Sequence, residues 1–539
     1  MMFLGCSDSG PAGSTSEKET KLSTPNTHSS TTAVRLHWLG KKRIAADSSA
    51  ANVMAIWNLP ESARLEAQTL DKLSTAPWRL LKTTTPLSNA PVALLRPLID
   101  DIVQEESYLE IRGATNRPGE VVFAIRLDAN RAALWETNLP LILQTLVPTQ
   151  TPDPKSQTPE FQVSRSGDWT LLALTSGSGL KTPDSGLLAD FRERIQRDQV
   201  PFLPQTTNYW LDAEAEAHLL NDAFALGWDL PKLSPRIALK IFGEGGNVRT
   251  LAGLDFPGPV PIELELWNIP TNLVHDPLIG FSAIRGIRHW ARYLRPWRDL
   301  PAETLPNQLY FWAQSGTAPL RFFAAPSSQA SNQLQLLSQF ILDEVNPRVA
   351  IDPQVKIGYG AFERVTNSLQ LRWRGMPYVS PNLDLADAGG NPFITGGLFF
   401  NRMTNLPPPE PLLQQVRTIP NLFYYDWEIT EPVEYGWLQP AQVGRFVFGR
   451  ARLSMTNNGA LPWLVAIAPK LGNAVTVGRL ESSNHISIVR SSTLGFTGVE
   501  LHFLADWLEA PNFPHGFFTL DATPTPFVTT SNLKTGDTP

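Results

Sequence analysis

The run Val53-Met54-Ala55-Ile56-Trp57, leading into Asn58-Leu59-Pro60, decides how this chain is read. It returns as Ile262-Glu263-Leu264-Glu265-Leu266-Trp267 leading into Asn268-Ile269-Pro270, and more loosely as Leu398-Phe399-Phe400-Asn401-Arg402-Met403-Thr404 leading into Asn405-Leu406-Pro407. Each copy reads as a strand that stops at the proline and turns into a helix. Proline suits the first helical position because its missing N–H would be unpaired there anyway. Three such start marks imply three related units, 34–204, 205–390 and 391–521, set between an N-terminal segment 1–33 and a polar tail 522–539. A length of 539 residues agrees with that division, at roughly 150 residues per domain.

Working outward, β-hairpins with polar or glycine turns alternate with helices. The hairpins expected are 108–111 with 121–125, 161–163 with 169–174, 237–241 with 248–252, 309–312 with 320–323, 362–365 with 369–373, and 486–489 with 499–503. Helical spacing of apolar residues marks 61–73, 92–106, 129–146, 186–197, 213–226, 275–294, 330–345, 411–417 and 440–453. Hairpin, helix, hairpin, helix is not the alternation that produces a parallel sheet. It predicts an α+β fold of tandem units, antiparallel hairpins with helices packed on one face of the sheet.

Composition narrows the class. A hydrophobic fraction of 42% and a charged fraction of 18% belong to a folded chain. A formal net charge of -6 argues against a general nucleic-acid binder. The 47 prolines fall between the apolar runs and imply short elements joined by stiff turns. No run reaches the roughly 18 consecutive apolar residues of a spanning helix.

The single cysteine, Cys6, excludes an intrachain disulfide. Its setting, Leu4-Gly5-Cys6-Ser7, resembles the lipobox of bacterial lipoproteins. The resemblance implies acylation of Cys6 and membrane anchoring through it, with the Ser- and Thr-rich stretch after it as a flexible tether. Ser7 stands where inner-membrane retention would call for aspartate, so the outer membrane is implied. Only Met1-Met2-Phe3-Leu4 precede the motif, too few for a signal peptide. Either the true start lies upstream and the protein belongs to the periplasmic side of the cell envelope, or the start is correct and it is cytoplasmic. The stretches Trp38-Leu39-Gly40-Lys41-Lys42-Arg43, Ile56-Trp57-Asn58-Leu59-Pro60-Glu61-Ser62-Ala63-Arg64-Leu65-Glu66 and Trp267-Asn268-Ile269-Pro270-Thr271-Asn272-Leu273 resemble an uncharacterised family of bacterial envelope proteins, which implies that context and no catalytic residue.

Candidate chemistry is sparse. The eight histidines (His28, His37, His218, His275, His289, His485, His502, His515) show no metal-ligand spacing, and no cofactor or metal is expected. Gly177-Ser178-Gly179 lacks nucleophile-elbow spacing, and Gly243-Glu244-Gly245-Gly246 joins two strands, so it reads as a hairpin turn rather than a phosphate loop. Asp100/Asp101, Glu105/Glu106 and Asp384/Asp387 are acid pairs that solvated surface explains equally well. Tryptophans 57, 169, 267, 312 and 373 sit at strand positions and are expected in the core. Arg285, Arg288, Arg292 and Arg295 recur at a spacing that would line one helical face, with Trp290, Tyr293 and Trp297 interleaved. Such a stripe could receive an anionic ligand or an acidic protein partner. The expectation is therefore a membrane-tethered, non-enzymatic binding or scaffolding protein. The alternatives are a hydrolase-like enzyme with a site between units, and a carrier of lipid or lipid-like ligands.

Overall fold

The computed structural model describes residues 32–80, 86–114, 117–146, 160–175, 186–197, 209–224, 234–315, 320–349, 361–375, 380–398, 406–437, 459–510 and 513–515. Among these residues, eighteen strands form one antiparallel sheet. The first arm contains β1 (Thr32–Trp38), hairpin β2–β3 (Ser107–Ala114, Arg117–Arg126), hairpin β4–β5 (Glu160–Ser166, Trp169–Thr175), β6 (Leu211–Glu216) and hairpin β7–β8 (Arg236–Glu244, Asn247–Asp255). The second contains β9 (Leu278–Arg285), hairpin β10–β11 (Gln308–Gln314, Leu320–Pro326), the short pair β12–β13 (Phe362–Arg364, Leu371–Trp373), hairpin β14–β15 (Asn382–Ala388, Asn391–Gly397), β16 (Leu422–Ile429) and hairpin β17–β18 (Asn473–Ser482, His485–Ser492).

From one edge the strands run β4-β5-β3-β2-β1-β6-β7-β8. They continue β18-β17-β16-β9-β10-β11-β15-β14-β13-β12. Read outward from the β8–β18 junction, both arms repeat one order of hairpins and single strands, and β12–β13 is an addition at one edge. At the junction Leu251 stands opposite Val489, and pairing extends from Val248↔Ser492 to Asp255↔His485.

In the first arm the helices are α1 (Lys41–Ala45), α2 (Ala51–Trp57), α3 (Pro60–Leu80), α4 (Val92–Gln104), α5 (Ala129–Leu146), α6 (Leu187–Gln196) and α7 (Ala217–Phe224). The second arm has α8 (Arg288–Ala291), α9 (Ala330–Phe340), α10 (Asn346–Val349), α11 (Glu410–Thr418), α12 (430–437), α13 (Ala460–Ile467) and α14 (Gly498–Glu509). Alternate strand residues face opposite ways, and both sets are covered. On one face Tyr108, Val122, Ala124 and Leu171 pack under α6, and Tyr310, Phe322, Ala324 and Phe393 share a core with Leu413 and Val416 of α11. On the other, Ile125 and Leu172 meet Trp135 and Ile142 of α5, and Leu383 and Ile394 meet Leu334 of α9. Helices of both arms meet beyond the junction, where Ile56 and Leu65 pack with Trp463, Leu464, Leu501 and Ala505. There the Trp463 indole donates to Ser62 Oγ at 3.1 Å.

The α+β class and five of the six expected hairpins stand, but several local expectations are corrected. Val53–Trp57 is the helix α2, not a strand, with Val53, Met54 and Ile56 turned inward. Ile262–Trp267 joins no ladder: its carbonyls accept from side chains instead, Gln308 Nε2 to Leu266 O at 2.7 Å and Asn307 Nδ2 to Glu263 O at 3.0 Å. Most of the third copy lies outside the described residues, as do Gly177-Ser178-Gly179, the helix expected at 440–453, Cys6 with its tether, and the tail. The helix expected at 275–294 is β9 followed by the four-residue α8, and that at 213–226 begins as β6. Residues 499–503 lie in α14; β18 pairs instead with β17 and β8. The three-unit division gives way to two arms: β1 pairs with β6 across the expected boundary at 204, and the boundary at 390 falls in the turn between β14 and β15. Helices lie on both faces of the sheet, not one.

Matched glycines close β1 and β9. Gly40 and Gly286 have φ of 87° and 80°, a left-handed conformation that side chains resist. A Cβ on Gly40 would lie 2.5 Å from the Glu105 carbonyl carbon, which is backbone and cannot yield. On Gly286 it would lie 2.5 Å from Ile262 Cγ2, a side-chain atom that can turn away. Both Gly40→Ala and Gly286→Ala should cost more than about 1 kcal/mol. Denaturant unfolding should rank Gly40→Ala as clearly the worse of the two.

Candidate functional site

On the second arm the strand face opposite α11 has a hollow floor. Residues paired across an antiparallel ladder share a face. Glu428↔Gly280↔Ala313↔Arg321 forms one row, and Asp426↔Ser282↔Phe311↔Phe323↔Gly396 forms the next. Gly280, Ser282, Ala313 and Gly396 are small, so the floor is low there. Val433 and Trp437 of α12 and the first turn of α14 wall one side; Ile341, Phe362 and Leu383 wall the other. The cavity, open on one side, is about 660 Å³, within the range of about 300–1,000 Å³ of small-molecule sites. Its lining is mostly aromatic and aliphatic, with a few converging polar groups.

Two buried carboxyls stand two residues apart on β16, Asp426 and Glu428, and so point the same way. Asp426 accepts from Ser282 Oγ at 2.5 Å, yet burial holds its carboxyl above the usual carboxylate range. Glu428 accepts from the Gly498 N–H at 2.7 Å, at the first turn of α14. Burial pushes its pKa up to about 7, against the pull of that bond, and the neighbouring Asp426 adds to the rise. The start of α14 is fixed by a capping box: Thr497 N–H donates to Glu500 Oε2 at 2.9 Å, and Glu500 N–H returns the bond to Thr497 Oγ1 at 3.3 Å. Arg490 of β18 grips the same Glu500 carboxylate with both terminal nitrogens, at 2.5 and 2.9 Å.

Arg321 is the cation of the cavity. Its Nη2 donates to the Val433 carbonyl at 3.0 Å, and the guanidinium lies 4.3 Å from the centroid of the Trp437 ring. Its buried Nε has no hydrogen-bond partner among the described residues. It forms no ion pair among the described residues, and burial lowers its pKa to about 10, opposed by Glu428. Nearby, Glu434 of α12 is fully buried and neither carboxylate oxygen accepts a hydrogen bond among the described residues; His502 Nε2 is 3.6 Å from Oε1. Burial raises its pKa to about 7 as well.

The matched face of the first arm is apolar. Counting from Gly40 and Gly286 through the two registers, Ser282, Asp426, Glu428 and Arg321 correspond to Leu36, Ala213, Ala215 and Val121. There α7 packs against β1, β2 and β3. The fold thus builds this face without charges, so the acids and the arginine of the second arm are not required by its architecture.

No family model matches the chain, and neither curated proteins nor solved structures yield a match. Function has to be argued from the site itself. Among the described residues no helix is long and apolar enough to cross a membrane.

The arginines singled out in the sequence do not share a helical face. Arg285 ends β9, buried against Trp267 with its Nε donating to Leu422 O at 2.6 Å. Arg288 pairs with Glu263 and Glu265, Arg295 pairs with Glu344, and Arg292 leans on Tyr293. None of the acid pairs noted in the sequence lines the cavity. Asp101 holds Arg131 and the Trp135 indole; Glu106 binds His37, Arg43 and Arg126; Asp384 accepts from Gln370. Sequence reasoning missed Asp426, Glu428, Arg321 and Glu500. Two signals could have found three of them: acids at alternate positions of the aromatic run Leu422–Ile429, and the Thr497-x-x-Glu500 capping signature.

Glu428 and Glu434 keep their protons up to about pH 7 in the folded protein, whereas in an unfolded chain such groups ionise near 4.3. Between those values the folded state binds more protons, so raising the pH through this window lowers stability. Each group contributes on the order of 3 kcal/mol at most. Urea midpoints should fall between pH 5 and pH 8, less steeply in Glu428→Gln and least in the Glu428→Gln/Glu434→Gln double variant, where Asp426, also raised by burial, still contributes.

Proposed function

We propose that this protein binds a small amphipathic anion, an apolar body with one carboxylate- or phosphate-like head, in the cavity of its second arm. The observation that carries the proposal is Arg321, a half-buried guanidinium whose Nε is shut off from solvent and which forms no ion pair among the described residues, at a position where the matched arm has Val121. A buried cation left without a counter-ion is costly. Glu428, the acid whose charge acts on Arg321, is itself pushed toward its neutral form, so an incoming anion supplies the missing charge. The apolar lining of Phe311, Phe323, Leu383 and Trp437 suits the body of such a ligand. This is the carrier function among the sequence-based expectations, and it remains compatible with tethering through Cys6 at a bacterial envelope.

An enzymatic role has one observation in its favour: Glu428, with a pKa near neutrality beside Asp426, is placed as an acid–base group would be. The two roles differ in what leaves the site. A binding protein releases its ligand unchanged, and an enzyme does not.

A fluorescent long-chain fatty acid and its uncharged alcohol analogue separate these possibilities. The acid should bind at one site per chain and at least about tenfold more tightly than the alcohol. Arg321→Met should remove that preference while leaving the alcohol's affinity near its original value. Ionising Glu428 places a negative charge near Arg321, so affinity for the acid should fall as pH rises through about 7, and Glu428→Gln should flatten that fall. Equal binding of acid and alcohol, or unchanged binding by Arg321→Met, would contradict the proposal. Recovery of a chemically altered ligand would instead establish the enzyme.

A further inference from the structure

Residues 287–298 read Ile287-Arg288-His289-Trp290-Ala291-Arg292-Tyr293-Leu294-Arg295-Pro296-Trp297-Arg298, with four arginines and no acid. Two buried side chains, Ala291 and Trp297, hold this segment to the fold, and the Trp297 indole donates to the Gln333 carbonyl at 3.3 Å. Turn hydrogen bonds from Tyr293 N–H to Trp290 O and from Leu294 N–H to Ala291 O fix its backbone. Between the anchors three large side chains stand outward: Trp290 is 46%, Tyr293 63% and Leu294 50% exposed. They are held in place. His289 meets the Trp290 and Tyr293 rings edge-on at 6.2 and 5.9 Å, and the Arg292 guanidinium lies 5.1 Å from the Tyr293 centroid.

The charges around these side chains are only partly balanced. Arg288 and Arg295 are paired with acids, but Arg292 and Arg298, both exposed, form no ion pair among the described residues. Tryptophan and tyrosine have an apolar body and a polar edge, which suits them to the headgroup level of a bilayer. Unpaired arginines beside them are drawn to an anionic lipid surface.

We propose that residues 289–298 form a docking surface for an anionic lipid bilayer. Trp290, Tyr293 and Leu294 enter the headgroup layer, and Arg292 and Arg298 pair with lipid phosphates. This surface adjoins the cavity wall: Arg295 pairs with Glu344 at 2.8 Å, within the π-helical residues Ile341–Val345, and Ile341 lines the cavity. Docking does not depend on what the cavity binds.

The test is flotation of the full chain, unacylated, with phosphatidylcholine vesicles prepared with and without phosphatidylglycerol. Recovery with the anionic vesicles should exceed that with the neutral ones by at least about tenfold. Trp290→Ser/Tyr293→Ser/Leu294→Ser should abolish it, and Arg292→Gln/Arg298→Gln should remove the dependence on phosphatidylglycerol. All of these residues are exposed, so circular dichroism of the variants should match the parent. Arg321→Met should float like the parent, which separates surface docking from uptake into the cavity. A parent chain that stays with the soluble fraction in the presence of anionic vesicles would overturn the proposal and leave an acidic protein as the partner. A triple serine variant that floats normally would overturn it too.

Discussion

The antiparallel ladder between β8 and β18 is the constraint on which the rest of the structure depends. Each of these strands ends a hairpin that its own arm leaves with a bare edge, and an exposed edge of unpaired N–H and C=O groups invites pairing with another chain. Here each edge satisfies the other, with Leu251 facing its counterpart Val489 at the centre. Because the two arms repeat one strand order, joining their equivalent edges gives a single sheet with a palindromic sequence of strands. The helices then complete the junction: α3 from one arm packs with α13 and α14 from the other. That packing positions the capped first turn of α14, whose Gly498 N–H reaches Glu428 and whose Glu500 is held by Arg490 of the junction strand itself. The cavity is therefore built on the junction as well as on its own arm.

The contrast between arms separates what the fold needs from what it carries. At matched positions the first arm places Leu36, Ala213, Ala215 and Val121 under α7, an arrangement without desolvation cost. The second places Ser282, Asp426, Glu428 and Arg321 around an open volume, and buried charge without full pairing destabilises a fold. The two acids lower that cost by tending toward neutrality. Arg321 has no such route, since a guanidinium stays charged at neutral pH even when burial brings its pKa to about 10. A site that retains a cation on these terms is suited to a ligand that brings the opposite charge.

Much of the fold was legible in the sequence, and the failures have physical causes. Hairpins with short polar turns, such as 237–241 with 248–252, were read correctly because the turn residues and alternation agree. Long amphipathic helices such as α5 and α9 were readable from their period. Short apolar runs were not: Val53–Trp57 fits either period over so few residues, and its helical state follows from packing against the sheet. Strand β9 is largely buried on both faces, so it lacks alternation, and the regular arginines from Arg285 onward suggested one long helix where the chain turns at Gly286 and forms only the four-residue α8. The alternation in Ile262–Trp267 was real, but Asn307 and Gln308 satisfy its carbonyls in place of a neighbouring strand. The site was the least legible part. Its residues come from β9, β10, β11, β16 and α14, and only the pairing of β16 with β9, distant in sequence, brings Asp426 and Glu428 toward Arg321.

Hydrogen exchange at individual backbone amides tests the single continuous sheet most directly. If β8 and β18 are interior strands, amides on both sides of each, across 248–255 and 485–492, exchange as slowly as those of β2 and β10. If the arms are separate sheets, every second amide of these two strands faces solvent and exchanges rapidly, and the junction does not exist.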